Sequence, residues 1–221
     1  MRGHSVDLYE KSEELCGGQI KAARCPPGKS VLANIRRFYN AQFSKMENVT
    51  VHLNYEMTEE KIASLQADAV LLATGGEAVI PKIRGLSLGE NIATAEEVLI
   101  GKYEAKGKAL VAGGGQVGIE TAHYLRKKGM EVSIIEMLPE LAVNEELLTR
   151  LTILPIIAEC GIEVYTSHKI QKVENNKLTV LDLNNNETKE LSFDTLVLAF
   201  GTKSVRYLED SLKQNFRNTI W

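Results

Sequence analysis

The chain has 221 residues, is 44% hydrophobic and 25% charged, and carries a net charge of −3. That balance suits a globular chain large enough for one sizeable domain or two small ones. It argues against nucleic-acid and membrane partners: no basic run interleaves with aromatics, and the longest apolar candidate, 151–158, is broken by Pro155.

In chain order, Arg2, Gly3 and His4 lead into a strand over 5–10 that ends on an acid, Glu10. Gly17, Gly18 and Gln19 read as a turn. Pro26, Pro27 and Gly28 precede a helix over 30–45, with Val31, Ile35, Phe38, Tyr39, Phe43 and Met46 on one face. A short strand follows at 49–53, and Thr58 with Glu59 and Glu60 suits the start of a helix running to about residue 65. Residues 67–76 read as a buried strand stopping at Thr74, Gly75 and Gly76. The stretch 77–107 reads as a crossing between domains, and within it Thr94, Ala95, Glu96 and Glu97 spell a capping box.

The most informative stretch is 108–136. The apolar run Ala109, Leu110, Val111, Ala112 is short enough for a strand buried on both faces. Gly113, Gly114, Gly115, Gln116, Val117 and Gly118 form a GxGxxG loop opening a helix over 116–128, and Gly129 is placed to end it. A second strand over 131–135 finishes on Glu136. This is the βαβ pattern of a Rossmann dinucleotide site. Gly113 permits the tight turn, Gly115 lets backbone approach a pyrophosphate, and Gly118 lets the helix pack closely. The helix N-terminus offers N–H groups and partial positive charge to phosphates. A carboxylate at Glu136 suits both ribose hydroxyls and repels a 2′-phosphate. No Arg lies within the next ten residues, so NAD(H) is expected over NADP(H).

Beyond it, Asn144, Glu145 and Glu146 open a helix ending at Gly161, which Pro155 is expected to kink or roughen. Residues 162–166 supply a third strand. Three β segments, 169–173, 177–183 and 188–191, are separated by asparagines, a meander of hairpins expected to cover a sheet edge. Residues 194–201 read as a buried strand stopping at Gly201, much as 68–75 stops at Gly75. Glu10 and Glu136 end similar segments, each entered through a glycine, so Glu10 reads as the ribose acid of a second Rossmann unit. Cys16, Cys25 and Cys160 form no C-x-x-C, so free thiols are expected. With no signal-peptide pattern after Met1, the cytoplasm is the expected compartment. His4, His52, His123 and His168 show no ligand spacing, and no metal site is expected.

These features resemble the two-dinucleotide-binding-domain flavoproteins over nearly the whole chain. The opening at 6–11, Gly17-Gly18-Gln19 followed by Pro26-Pro27-Gly28-Lys29, the strand end 72–76, the loop 113–122 and the strand end 198–201 carry the likeness. Within that group the chain looks most like the C-terminal region of old-yellow-enzyme-type NADH:flavin oxidoreductases, which include 2,4-dienoyl-CoA reductase, 2-enoate reductase and trimethylamine dehydrogenase. The resemblance implies FAD contacts at Glu10, Gln19, Thr74 and Gly75. It implies NAD contacts at Gly113, Gly115, Gly118 and Glu136, with Glu120 near the nicotinamide. Gly201 ends a strand, a place suited to close backbone approach by a nucleotide ring.

The expected fold class is α/β: a Rossmann-like parallel sheet with helices and an antiparallel β-meander, the NAD(P)-binding domain inserted in an incomplete FAD-binding domain. The divisions expected are 1–82, partial FAD domain; 83–193, NAD(P) domain; and 194–221, return strand and tail. The FAD glycine loop and the FMN- and substrate-carrying barrel are absent from this sequence, so the missing parts of a longer parent chain are the expected partners. The function implied is binding NAD(H) and passing hydride to FAD, in an enoate- or dienoyl-CoA-reductase-like or NADH-oxidase-like reaction. No catalytic side chain is required, because the chemistry belongs to the cofactors. The isolated chain is expected to be inactive, and the alternative is a non-catalytic NAD- or ADP-binding module.

Overall fold

The computed structural model describes residues 3–215 and 219–220, and the chain falls into two compact units. One takes the residues up to Arg24, Val31–Glu77 and those from Lys203 onward; the other takes Cys25–Ser30 and Ala78–Thr202.

In the first unit, β1 (Val6–Tyr9) is followed by α1 (Gln19–Ala23), α2 (Ala33–Phe43), β2 (Val49–His52), α3 (Glu59–Ser64) and β3 (Val70–Leu71). β1 and β2 pair in parallel with Tyr9 opposite His52, and those two rings stack at 4.5 Å between centroids. Three expectations are revised here. The apolar face read over 30–45 is not buried: Val31, Phe38 and Tyr39 are all exposed. Periodicity marks a face able to pack but does not supply its partner. The strand expected over 67–76 shrinks to two residues, with Leu71 72% exposed. The turn expected at Gly17-Gly18-Gln19 ends one residue sooner, because Gln19 already begins α1.

The chain then passes through β4 (Gly76–Ala78) into the second unit: β5 (Ile92–Thr94), α4 (Ala95–Leu99), β6 (Lys108–Ala112), α5 (Gln116–Lys127), β7 (Glu131–Ile135), α6 (Leu147–Glu159) and β8 (Glu163–Tyr165). The meander β9 (His168–Glu174), β10 (Lys177–Asp182) and β11 (Thr188–Ser192) comes next, then β12 (Thr195–Leu198). Five of these strands form a parallel sheet in the order β5-β12-β6-β7-β8. Alternate residues of β6 face opposite layers, as the two-residue strand period requires. Ala109 and Val111 pack with Ile119, Ala122 and Leu125 of α5, while Leu110 and Ala112 pack with Leu178 and Val180 of β10. The meander therefore covers a face of the sheet rather than an edge, and its central inward residues, Leu178 and Val180, are fully buried. Its first hairpin turns on Asn175 and Asn176, both at positive φ.

The unit holding the glycine loop thus runs 78–202 with 25–30, where the sequence suggested 83–193. At the C-terminal end the difference follows from β12: read as a return strand, it lies between β5 and β6 in the sheet. α6 continues helically through Pro155. The proline sits on the exposed side, so the carbonyl it leaves without a partner, at Leu151, can face water. β13 (Thr202–Ser204) pairs with β4, and α7 (Tyr207–Asn215) and β14 (Thr219–Ile220) return to the first unit, where β14 pairs in parallel with β3. Ile62, Leu208 and Leu212 form that unit's small core. No helix among the described residues is long and apolar enough to cross a membrane.

Candidate nucleotide-binding site

The loop 113–118 leaves the carboxyl end of β6, the strand at which the sheet reverses order: β7 and β8 lie to one side, β12 and β5 to the other. Nucleotides bind in the crevice at such a switch point. Gly113 has φ 110°, donates its N–H to Ile135 O at 2.8 Å, and lies against Ala199, just past β12; a Cβ there would be 2.5 Å from the Ala199 carbonyl oxygen. Gly118 packs on the loop itself, since a Cβ on it would lie 1.9 Å from Gly113 O. Gly115 differs from both. It is the N-cap of α5 with no side-chain cap, and a Cβ there would meet nothing within 4 Å. Open space thus faces the positive end of a twelve-residue helix.

Glu136 follows β7 directly and turns its carboxylate to the loop. Oε2 accepts from Gly114 N–H at 2.6 Å and Oε1 from Leu138 N–H at 2.8 Å. Its backbone is fixed as well: its N–H donates to Tyr165 O, and its carbonyl accepts from His168 N–H. An ionised carboxylate has about four acceptor sites, so two remain beyond these backbone bonds. The chain then bends back, and Ala142 N–H donates to Gly114 O at 2.9 Å. Leu141 packs on Gly114, where a Cβ would lie 2.3 Å from a Leu141 methyl carbon.

One turn into α5 lies a polar cluster. Glu120 is only 8% exposed, and its Oε1 accepts from Gln116 Nε2 at 2.8 Å and pairs with the Lys29 ammonium. Glu120 is therefore not a solvated helix residue. Lys29 had no role in the sequence reading beyond the likeness; its partner is 91 residues away, a separation no local pattern encodes. Val117 is exposed, and Gly201 has φ 85° and accepts from Val79 N–H through its carbonyl. In the first unit, Glu10 follows β1 and accepts from Ser12 N–H at 2.8 Å and Ser12 Oγ at 2.7 Å. Gln19 is the first residue of α1, and Thr74 Oγ1 donates to Val205 O at 2.8 Å. Gly75 has φ 73° and accepts from Val205 N–H. Among the described residues no hydrogen bond joins Glu10, Gln19 and Thr74 to one another, in contrast to the linked set around Gly114.

The sequence profile of the family described as pyridine nucleotide-disulphide oxidoreductase matches residues 3–220. The chain belongs to this family. Among its relatives, an NADH oxidase of Thermoanaerobacter brockii is 38% identical over 175 residues, covering 78% of this chain and 27% of that protein. A bilirubin reductase of Mediterraneibacter gnavus is 31% identical over 220 residues, covering 95% of this chain and 33% of that one. The chain thus spans about a third or less of these relatives' length. In three dimensions it is similar to a 2-naphthoyl-CoA reductase in complex with 2-naphthoyl-CoA, with TM-score 0.90, 25% identity, and coverage of 99% of this chain and 33% of that one. A histamine dehydrogenase from a Rhizobium species shares the fold at TM-score 0.82 and 16% identity, over 96% of this chain and 34% of that one. The match to old-yellow-enzyme-type oxidoreductases is thereby supported in both sequence and fold.

Proposed function

We propose that this chain is the pyridine-nucleotide-binding region of a flavin-dependent oxidoreductase, selective for NAD(H), within a longer parent protein. The observation that carries the reading is the pairing of an uncapped helix N-terminus at Gly115 with the Glu136 carboxylate, both at the carboxyl edge of the parallel sheet. These residues fit a dinucleotide. The open face at Gly115 admits a diphosphate to the backbone, and the positive end of α5 favours its charge. The free acceptor sites of Glu136 suit ribose hydroxyls, and its charge disfavours a 2′-phosphate.

The chemistry supplied by the bound cofactors is hydride transfer from dihydronicotinamide to flavin. The protein's part is to position. Glu120, braced by Gln116 and Lys29 one turn into α5, presents a fixed polar surface, which this reading assigns to the nicotinamide end of the cofactor. No side-chain acid, base or nucleophile has to act. Glu10, Gln19 and the Thr74-Gly75 strand end are the FAD-facing residues of the reading, and Gly201 separately ends a strand suited to close approach of a nucleotide ring. The relatives' names, NADH oxidase and cinnamate reductase among them, support NADH oxidation or enoate-type reduction by the parent protein. The partners proposed are its remaining domains.

The test is titration of the purified chain with NADH and with NADPH, wild type beside Glu136→Ala. NADH should bind the wild type more tightly, and the preference should shrink in the mutant. Equal binding of both nucleotides by the wild type would sink the reading. The non-catalytic alternative is separated by colour: protein that purifies yellow and bleaches with NADH carries its own flavin path.

A further inference from the structure

Past Glu136 the chain forms a bracket around the glycine loop. Leu138 N–H reaches back to the Glu136 carboxylate, Leu138 O accepts from Ser167 N–H, and Ala142 N–H closes on Gly114 O. Ala142 takes a left-handed φ of 54°, unfavourable for a residue with a Cβ, and is 3% exposed. So tight a return pins the bracket at both ends. Glu140 lies within it, two residues from Leu138 and therefore within about 7 Å of chain from the group that touches Glu136. There its Oε2 accepts from Arg150 Nη2 at 2.7 Å, with the two side chains 65% and 30% exposed. Arg150, in the first turn of α6, is the first basic residue after Glu136.

We propose that the Glu140–Arg150 pair is a second determinant of cofactor choice at this site. Glu136 repels a 2′-phosphate directly. Glu140 acts through Arg150, by occupying a guanidinium that would otherwise be available to the phosphate. Arginine is the residue best shaped to accept phosphate oxygens in a two-pronged contact, and a nearby arginine is what accommodates NADP in Rossmann sites. The sequence shows an arginine too far along the chain to count; the bracket and the first turn of α6 bring it back to Glu140. The inference rests on the NAD(H)-selective reading above and names a residue pair that the reading does not use.

The experiment compares NADPH and NADH dissociation constants for Glu136→Ser, for Glu136→Ser with Glu140→Gln, and for the triple variant that adds Arg150→Met. The Glu140 change should tighten NADPH about tenfold relative to Glu136→Ser alone, the worth of a charge-assisted contact, and leave NADH within a small factor. Adding Arg150→Met should remove that gain. The proposal is overturned if NADPH affinity is the same with and without Glu140, or if the gain survives loss of Arg150 and so reflects net charge alone. The wild-type titration tests the underlying reading separately, because a wild type that binds both nucleotides equally contradicts Glu136 selectivity whatever Glu140 does.

Discussion

The α-carbon of Gly118 packs directly on the carbonyl oxygen of Gly113, so close that a Cβ would lie 1.9 Å from it. The first turn of α5 and the end of β6 are thereby held at a spacing only hydrogen can fill. Gly118→Ala should push helix or loop aside and cost about 1–3 kcal/mol, the range of over-packed positions. Gly115→Ala separates stability from binding. Its Cβ would meet nothing within 4 Å, so the only expected loss of unfolding free energy is that of alanine at an N-cap, about 1 kcal/mol or less. NADH affinity should nonetheless fall, because the methyl group occupies the space assigned to the diphosphate. Urea unfolding and NADH titration of both variants check the pair; a Gly115→Ala variant that binds as wild type places the diphosphate elsewhere.

A second prediction concerns α4. Thr94 Oγ1 accepts from Glu97 N–H at 3.2 Å while Glu97 Oε2 accepts from Thr94 N–H at 2.8 Å, and Thr94 is 6% exposed. Thr94→Ala should cost about 1–2 kcal/mol, since it removes a cap in a place water reaches poorly. Thr94→Ser should cost less. Chemical denaturation of the two variants decides it, and equal midpoints would show that the cap adds nothing.

The parts of the fold legible in the sequence are those with local causes. The loop 113–118, the acid Glu136, the Thr94 capping box and the asparagine hairpin at 175–176 each follow from residues within one turn or one βαβ unit. The burial of Glu120 was not legible, because Lys29 reaches it across 91 positions. Nor was the burial of the meander. The alternation of Leu178 and Val180 marks an inward face, but only the sheet order puts Leu110 and Leu196 beneath it. The exposed face of Val31, Phe38 and Tyr39 is the converse case, a helical pattern whose partner the described residues do not supply.

The edge strand β8 makes a third prediction, about pH. Tyr165 OH donates to Glu163 Oε1 at 2.7 Å, and Ser133 Oγ donates to Glu163 Oε2 at 3.1 Å. Burial, reinforced by the bond to the Glu163 carboxylate, pushes the Tyr165 phenol up to about 12. In the unfolded chain it ionises near 10. The folded state therefore keeps its proton more tightly, so this contribution is intact below the unfolded value and is lost as pH rises from about 10 towards about 12. Glu163 is displaced the other way: the Tyr165 hydrogen bond holds its carboxyl below the usual range. Its contribution is present above the unfolded carboxylate value and is lost as pH falls through the depressed one. Tyr165→Phe should flatten the alkaline decline in stability and weaken the acid one. Unfolding midpoints across pH, wild type against mutant, measure both limbs, and parallel curves would refute the coupling.

The last prediction tests whether Lys29 and Glu120 act as a unit. Glu120 is almost buried, and Gln116 satisfies one oxygen only in company with the Lys29 ammonium. Lys29→Met would leave the carboxylate with the amide alone and should cost about 1–3 kcal/mol, the penalty of a buried acceptor losing a charged donor. Glu120→Gln should cost less, since the neutral amide tolerates burial and can still meet Gln116. If the pair is a unit, the double variant should be less unstable than the sum of the singles, by a coupling of about 1 kcal/mol or more. Additive losses would mean that the Lys29 stem stabilises this segment by packing and that its charge is spent in solvent. NADH titration of the same four proteins adds the functional axis. A nicotinamide-side role for Glu120 requires the Lys29→Met variant to lose affinity for NADH while its affinity for ADP, which has no nicotinamide, stays close to wild type.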